Sequence, residues 1–268
     1  MTISGEHMIG RSGRAVAEEI SHRTLKRLLT GSLACIWHKG WYDVNSAKHA
    51  ITDLLQSRLV GPADSTEVRN IGPPVGSAFK SESATERYFD ESVAFWGKLR
   101  QKFFVGLQNP IDGLLNAFDG IWPAGAAPGA RQGRAFSHGI FRWFPQGASL
   151  NPHVDNSLEP LIAPLCPTAR LAACVYLVTT SSTDGGRLEL WDLALSHEQY
   201  EILRAPDFSL PRAVIGAPAL AIAPEPGDLI IFDAQRIHAV SPIHRGSRLT
   251  ASSFIGFSRV DEPLVFFA

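Results

Sequence analysis

The sequence is poor in the residues that staple small secreted folds or hold thiolate-bound metals. It has three cysteines, Cys35, Cys166 and Cys174, with no CxxC pair among them. An odd count with that spacing argues against a disulfide framework and against a zinc–thiolate site. Two of the three sit among apolar neighbours in the chain, as buried thiols do. Charge of one sign is equally scarce. The formal net charge is −1 and no basic run exceeds two residues, so neither nucleic acid nor an anionic membrane surface is an expected partner. No stretch approaches the roughly 18–20 apolar residues of a bilayer span, and Met1–Arg14 lacks the apolar core of a signal peptide. The expectation is a soluble, cytoplasmic protein. Apolar material, by contrast, is ample. With 45% hydrophobic and 19% charged residues over 268 positions, the chain can fill the core of one large domain.

The texture of the chain changes near residue 134. Before it, helical spacing dominates. Ala15–Leu29 is predicted helical, and Leu33–His38, an apolar run between Gly31 and Gly40, is predicted to be a strand. Asn45 or Ser46 is expected to cap a helix with Ala47, Ala50, Ile51, Leu54 and Leu55 on one face, ending near Gly61-Pro62. Residues 61–83 read as a long loop rich in Gly, Pro and Ser. Ala84–Val105 is predicted helical, and so is the segment that opens at Pro110 and stops at Gly120, their aromatics forming core. Ala124–Gly133 reads as a Gly/Ala/Pro loop. From there on, seven short segments read as strands between turn residues: Phe136–Phe144, Arg170–Thr179, Arg187–Trp191, Ala219–Ala223, Asp228–Asp233, Ile237–Ile243 and Arg248–Phe257. One helix interrupts them behind the capping box Ser196-His197-Glu198-Gln199. The expected architecture is α+β, a single domain over residues 1–268. In it a mainly helical region (1–134) packs on one face of a cupin-like jelly roll, a double-stranded β-helix (135–268).

Chemistry concentrates at Asn151-Pro152-His153-Val154-Asp155-Asn156. Residues two apart on a strand share a face, so His153 and Asp155 can offer an imidazole nitrogen and a carboxylate oxygen to one point. They make two thirds of a 2-His-1-carboxylate triad, the donor set that leaves open positions on non-haem Fe(II). An HxD pair alone is a weak signal; its context strengthens it. The buried run Gly227–Phe232 leads through a turn to His238, the candidate third ligand. Ten residues later Arg248 and Thr250 share a strand face, and a guanidinium fork beside a hydroxyl suits a carboxylate.

The pattern HxD, a distant His and then Arg-x-Thr resembles the Fe(II)/2-oxoglutarate-dependent oxygenases. Three stretches are similar to their prolyl-hydroxylase-like branch: His153-Val154-Asp155-Asn156, Arg170 with Val175-Tyr176-Leu177, and Gly185-Gly186-Arg187-Leu188-Glu189-Leu190. The N-terminal part, with Phe95…Leu99-Arg100 ahead of the strands, is similar to the free-standing small-molecule halogenases and N-acyl-amino-acid hydroxylases, a likeness that covers most of the chain. The resemblance implies Fe(II) on His153, Asp155 and His238, with these three as the catalytic centre. It implies 2-oxoglutarate held by Arg248, Thr250 and Tyr176, and O2 as second cosubstrate. The implied outcome is hydroxylation of an unactivated C–H bond in an amino acid, an amino-acid derivative or a natural-product intermediate, with release of succinate and CO2. Two departures from the pattern stand out. Trp143-Phe144 replaces a tyrosine of the family on the strand before HxD. Asp155 stands where the halogenases carry a small residue, usually Gly, and its carboxylate occupies the place of a halide, which favours hydroxylation.

Several readings stay open at this stage. Arg142, alone among Ile140, Phe141, Trp143 and Phe144, either faces the cavity and pairs with an anionic substrate group or faces solvent. Trp143 and Phe144 are its companions as candidate substrate contacts. Tyr176 serves either as core packing or as a cosubstrate contact. His138 and His244 read as structural or exposed, and Lys80 as solvated. The loops at 61–83 and 124–133 are candidates for a substrate lid. The rival to an oxygenase is a cupin-type protein that binds a metal or ligand without redox turnover. Desaturation, epimerisation or halogenation at the same iron are further alternatives.

Overall fold

Alternation along the long strands decides which neighbour each side chain meets. The computed structural model describes residues 6–9, 14–57, 67–155, 162–165 and 168–268. Strands β1 (Glu6–Ile9) and β2 (Ala15–Ala17) precede helix α1 (His22–Leu29), strand β3 (Leu33–His38) and helix α2 (Lys48–Gln56). Strand β4 (Arg69–Ile71) leads through a 3-10 turn at Val75–Lys80 to α3 (Glu82–Lys98), which runs on into a π-helical turn at Leu99–Phe103 and is followed by α4 (Pro110–Ile121). Next come β5 (Ala126–Pro128), β6 (Ala130–Arg131), β7 (Arg134–Ala135), β8 (Ile140–Phe144), β9 (Leu150–His153), β10 (Ala169–Val178) and β11 (Leu188–Leu190). Helices α5 (His197–Leu203) and α6 (Arg212–Ile215) then precede β12 (Leu220–Ile222), β13 (Leu229–Asp233), β14 (His238–Val240), β15 (Arg248–Phe257) and β16 (Leu264–Phe267).

A large mixed sheet runs β1-β2-β3-β13-β10-β15. The far edge of β15 is shared by β8, which continues to β4, and β16, which continues to β5. A four-stranded sheet of order β12-β11-β14-β9 lies against it. Along β10, Leu171, Ala173, Val175 and Leu177 join a core shared with the helices, whereas Ala172 and Tyr176 join a second core with Leu188, Leu190 and Ile222 of the small sheet. Strand β13 repeats the division, with Leu229 and Ile231 on the helix side and Ile230 and Phe232 on the other. The large sheet is therefore a wall buried on both faces, which is why its central strands read as continuous apolar runs.

The helix ends follow local chemistry. Ser21 and Thr24 form a capping box on α1, and Ser196 with Gln199 forms the expected one on α5. Asn109 caps α4 ahead of Pro110. Some expectations give way. The helix anticipated over Ala15–Leu29 begins only at His22, because Ala15–Ala17 pairs in parallel with β3 and buries Val16 and Ala17. Ala47, not Asn45 or Ser46, stands at the N-cap of α2, and the amides of Asn45 and Ser46 donate to Asp43 in the turn before it. The expected stop at Gly61-Pro62 lies outside the described residues. The presumed loop at 61–83 contains β4, paired to β8, and the one at 124–133 contains β5, paired in parallel to β16. Lids were anticipated there; where the structure describes them, both stretches contribute sheet strands.

Candidate metal and cosubstrate site

His153 closes β9 and His238 opens β14, and the two are direct partners in the antiparallel pairing. Partners across a ladder point to the same side, and their ring centroids lie 4.2 Å apart. In each ring Nδ1 meets a backbone carbonyl two residues upstream, Asn151 O at 2.8 Å and Arg236 O at 2.9 Å. A proton on Nδ1 donates there and leaves Nε2 bare as the ligating nitrogen. Both Nε2 atoms turn toward Asp155. His153 Nε2 is 3.7 Å from Oδ1, and His238 Nε2 is 3.2 Å from Oδ2. Asp155 is itself held by its backbone: its N–H donates to Ala234 O at 2.9 Å, and its carbonyl accepts from Arg170 Nη1 at 2.7 Å.

The three ligating atoms lie within 4.8 Å of one another, and no other His/Cys/Asp/Glu trio among the described residues does. That spacing allows one ion at bond lengths near ~2 Å to each. Electrostatics agree with a ligand role. Burial, reinforced by the neighbouring His238 ring, pushes His153 down to about 4, so it is neutral at neutral pH. Burial works against ionising Asp155, but the two imidazoles and Arg142 outweigh it and hold the carboxyl well below its usual range. Two bare imidazole nitrogens and an ionised carboxylate on one face form a donor set that fits non-haem Fe(II).

A cavity opens beside this trio, between the two sheets, with Asp155 and His238 in its wall. Arg248 and Thr250 also line it. Arg248 is 4% exposed and lies between the rings of Phe144 and Tyr176, at 5.0 and 4.8 Å. Its Nη1 donates to Gly186 O at 3.2 Å and its Nη2 to the Tyr176 hydroxyl at 3.4 Å, while the buried Nε has no partner. Thr250 shares that strand face and accepts from Ser252 Oγ at 3.2 Å. Tyr176 is fully buried, and desolvation raises its phenol, which stays protonated. It does not line the cavity and reaches the site through Arg248.

Strand β8 splits the remaining expectations. Arg142 and Phe144 line the cavity with Ile140. Trp143, anticipated beside them, lies on the opposite face, packed on the helix-side core with Arg69 over its ring at 5.6 Å. A period of two puts neighbours on opposite sides, so Trp143 could not follow Arg142 into the cavity. Ser252, Ser253, Phe254 and Cys174 line it and were not anticipated. Continuing the alternation from Arg248 and Thr250 finds Ser252 and Phe254. His138 is structural, stacked on Trp96 at 3.8 Å and bonded to Asp112 at 2.8 Å. The side chain of Lys80 lies outside the described residues.

The fold and the trio define an iron- and 2-oxoglutarate-dependent oxygenase, which takes Fe(II), 2-oxoglutarate and O2. The family model described as carrier-protein-independent halogenase WelO5 matches residues 22–268, and the chain belongs to that family. A solved N-substituted L-amino acid dioxygenase from Burkholderia ambifaria AMMD is similar at a TM-score of 0.61, with 17% identity, over 92% of this chain and 91% of that one. The same enzyme in complex with α-ketoglutarate gives a TM-score of 0.60 at 15% identity, again over 92% and 91%. HygX from Streptomyces hygroscopicus, with nickel and 2-oxoglutarate bound, overlaps at a TM-score of 0.47 and 14% identity, over 88% and 87%. No curated protein matches the sequence. No described helix is long and apolar enough to cross a membrane.

Proposed function

We propose that this chain is an Fe(II)/2-oxoglutarate-dependent dioxygenase that hydroxylates an unactivated C–H bond of a small molecule. An amino acid, an amino-acid derivative or a natural-product intermediate is the substrate class, and succinate and CO2 are released. The observation that carries the reading is one cavity with Asp155 and His238 of the His153–Asp155–His238 trio at one place in its wall and a buried, partly unpaired Arg248 at another. On this reading the two imidazoles and Asp155 hold the iron. When bound with 2-oxoglutarate and O2, the iron supplies the oxidising power that breaks the C–H bond. Arg248 binds the far carboxylate of the cosubstrate as a charge-assisted pair, Thr250 adds a hydroxyl, and Tyr176 keeps the guanidinium aimed. Phe144 and the other apolar walls keep water from the reacting carbon. Two facing sheets with the site between them support a double-stranded β-helix. Strands from both parts of the chain in one sheet support a single domain over residues 1–268.

Asp155 bears on the family's name. A halide needs the ligand position that this carboxylate takes, and its two oxygens face the two histidines. Hydroxylation is therefore the outcome we assign. The test is anaerobic addition of Fe(II) and 2-oxoglutarate, which is expected to give a weak visible charge-transfer band that His153→Ala abolishes. With oxygen and substrate, succinate should form in step with a product heavier by one oxygen atom. A metal-loaded protein that yields no succinate with any candidate substrate would instead be a non-redox binding protein of cupin type. A product lighter by two hydrogens, or a chlorinated one, would redirect the outcome to desaturation or halogenation.

A further inference from the structure

On the reading above, Arg248 serves the cosubstrate, and the cavity holds a second guanidinium, Arg142. It stands on β8 opposite Thr250 on one side and Asn70 on the other, and it lines the same cavity. Among the described residues it makes no ion pair, and its Nε is buried without a partner. Its contact with the Phe254 ring, at 5.9 Å, is at the limit of cation–π range. Asp155 is the one acidic side chain lining the cavity; its contacts are with the two histidines, and Arg142 acts on it through the field without an ion pair. A guanidinium cannot shed its proton, so the half-buried Arg142 keeps its charge beside an apolar cavity, where a bound anion can pair with it.

We infer that Arg142 anchors the substrate through a carboxylate, so that the enzyme acts on a small monocarboxylate whose apolar body fills the rest of the cavity. The inference rests on the proposed iron and cosubstrate site. Ile140, Phe144 and Phe254, on the same strand faces as Arg142 and Thr250, supply the apolar surface for that body. The planar fork of Arg142 supplies two parallel N–H donors for the acid.

The experiment loads the protein anaerobically with Fe(II) and 2-oxoglutarate, then titrates two acids, N-acetyl-L-leucine and phenylacetate, against their uncharged amides. Binding is read by calorimetry and by the change in the charge-transfer band. At least one acid should bind roughly tenfold or more tighter than its amide, the scale of a charged hydrogen-bonded pair. Arg142→Gln should close the gap and Arg142→Lys restore part of it, while both variants still form the band with 2-oxoglutarate. Arg142→Met, which removes the unpaired charge, should unfold at the same temperature as wild type or higher. The inference is overturned if wild type shows no acid preference, including the case in which no probe binds. It is overturned equally if Arg142→Gln loses 2-oxoglutarate, or if Arg142→Met is strongly destabilised. A wild-type protein that forms no band at all removes the iron-site reading first, which is a separate failure.

Discussion

A guanidinium buried between two aromatic faces with one N–H unpaired suits a carboxylate better than it suits packing. Arg248→Ala should weaken 2-oxoglutarate binding about 10- to 100-fold, from the loss of a charged hydrogen-bonded pair, while the metal is retained. Calorimetry with Mn(II) and 2-oxoglutarate reads both, and metal lost together with cosubstrate would count against the assignment. Asp155→Gly should remove hydroxylation and open the ligand position to an anion. The Co(II)-loaded variant should then show a chloride-dependent visible spectrum that the wild type lacks. These residues were legible in the sequence because strand geometry is short-range. His153 and Asp155 follow from a period of two, and Arg248 with Thr250 from the same rule. His238 needed the turn after Phe232 to bring it back, and its pairing with His153 is tertiary. Trp143 stands apart from Arg142 and Phe144 because a period of two on β8 turns it to the helix side.

Short elements defined by their partners were the least legible. Ala15–Ala17, Arg69–Ile71 and Ala126–Pro128 are three residues each, too brief for a periodicity, and each becomes a strand through the neighbour it pairs with. Turn chemistry is more explicit. Gly185 and Gly186 adopt φ of +88° and +68°, and a Cβ on Gly185 would stand 1.8 Å from Pro242 O. Because Gly186 O also accepts from Arg248, Gly185→Ala should lower the thermal midpoint and weaken 2-oxoglutarate binding together. Gly246→Ala, at φ +85° but with its nearest neighbour 3.8 Å away, should cost stability without the loss of affinity. At the start of α4, burial opposes the charge on Asp112, but His138 and Arg100 outweigh it and hold the carboxyl well below its usual range. A depressed carboxyl contributes stability above its unfolded pKa near ~3.9 and loses that contribution as the pH falls toward its folded value. Asp112→Asn should therefore cost about 1–3 kcal/mol at neutral pH and progressively less below about pH 4. Urea unfolding at both pH values checks the sign.

Across the whole molecule, the large sheet separates two cores with different duties. Helices α1 to α4 close one face, and the small sheet with the cavity closes the other. A fold similar to a dioxygenase of only 17% identity is understandable on those terms, since apolar alternation rather than particular residues sets the layers. The division predicts where damage stops. Phe118 is fully buried on the helix side, edge-on to Phe266 at 5.3 Å. Phe232 lies on the cavity side, with its ring 4.9 Å from that of His238. Truncating either to alanine should cost about 3–5 kcal/mol of unfolding free energy, as removal of a buried aromatic generally does. Their effects on the site should differ. Phe118→Ala leaves the β9–β14 ladder untouched, so metal affinity should stay near wild type at temperatures where the variant is folded. Phe232→Ala removes the surface that confines the His238 ring and should weaken metal binding roughly 10- to 100-fold, as loss of ligand support does. Co(II) titration beside urea unfolding of the metal-free proteins separates the two effects. Equal loss of metal in both variants would mean that the sheet transmits strain between its faces and that the cores are not independent.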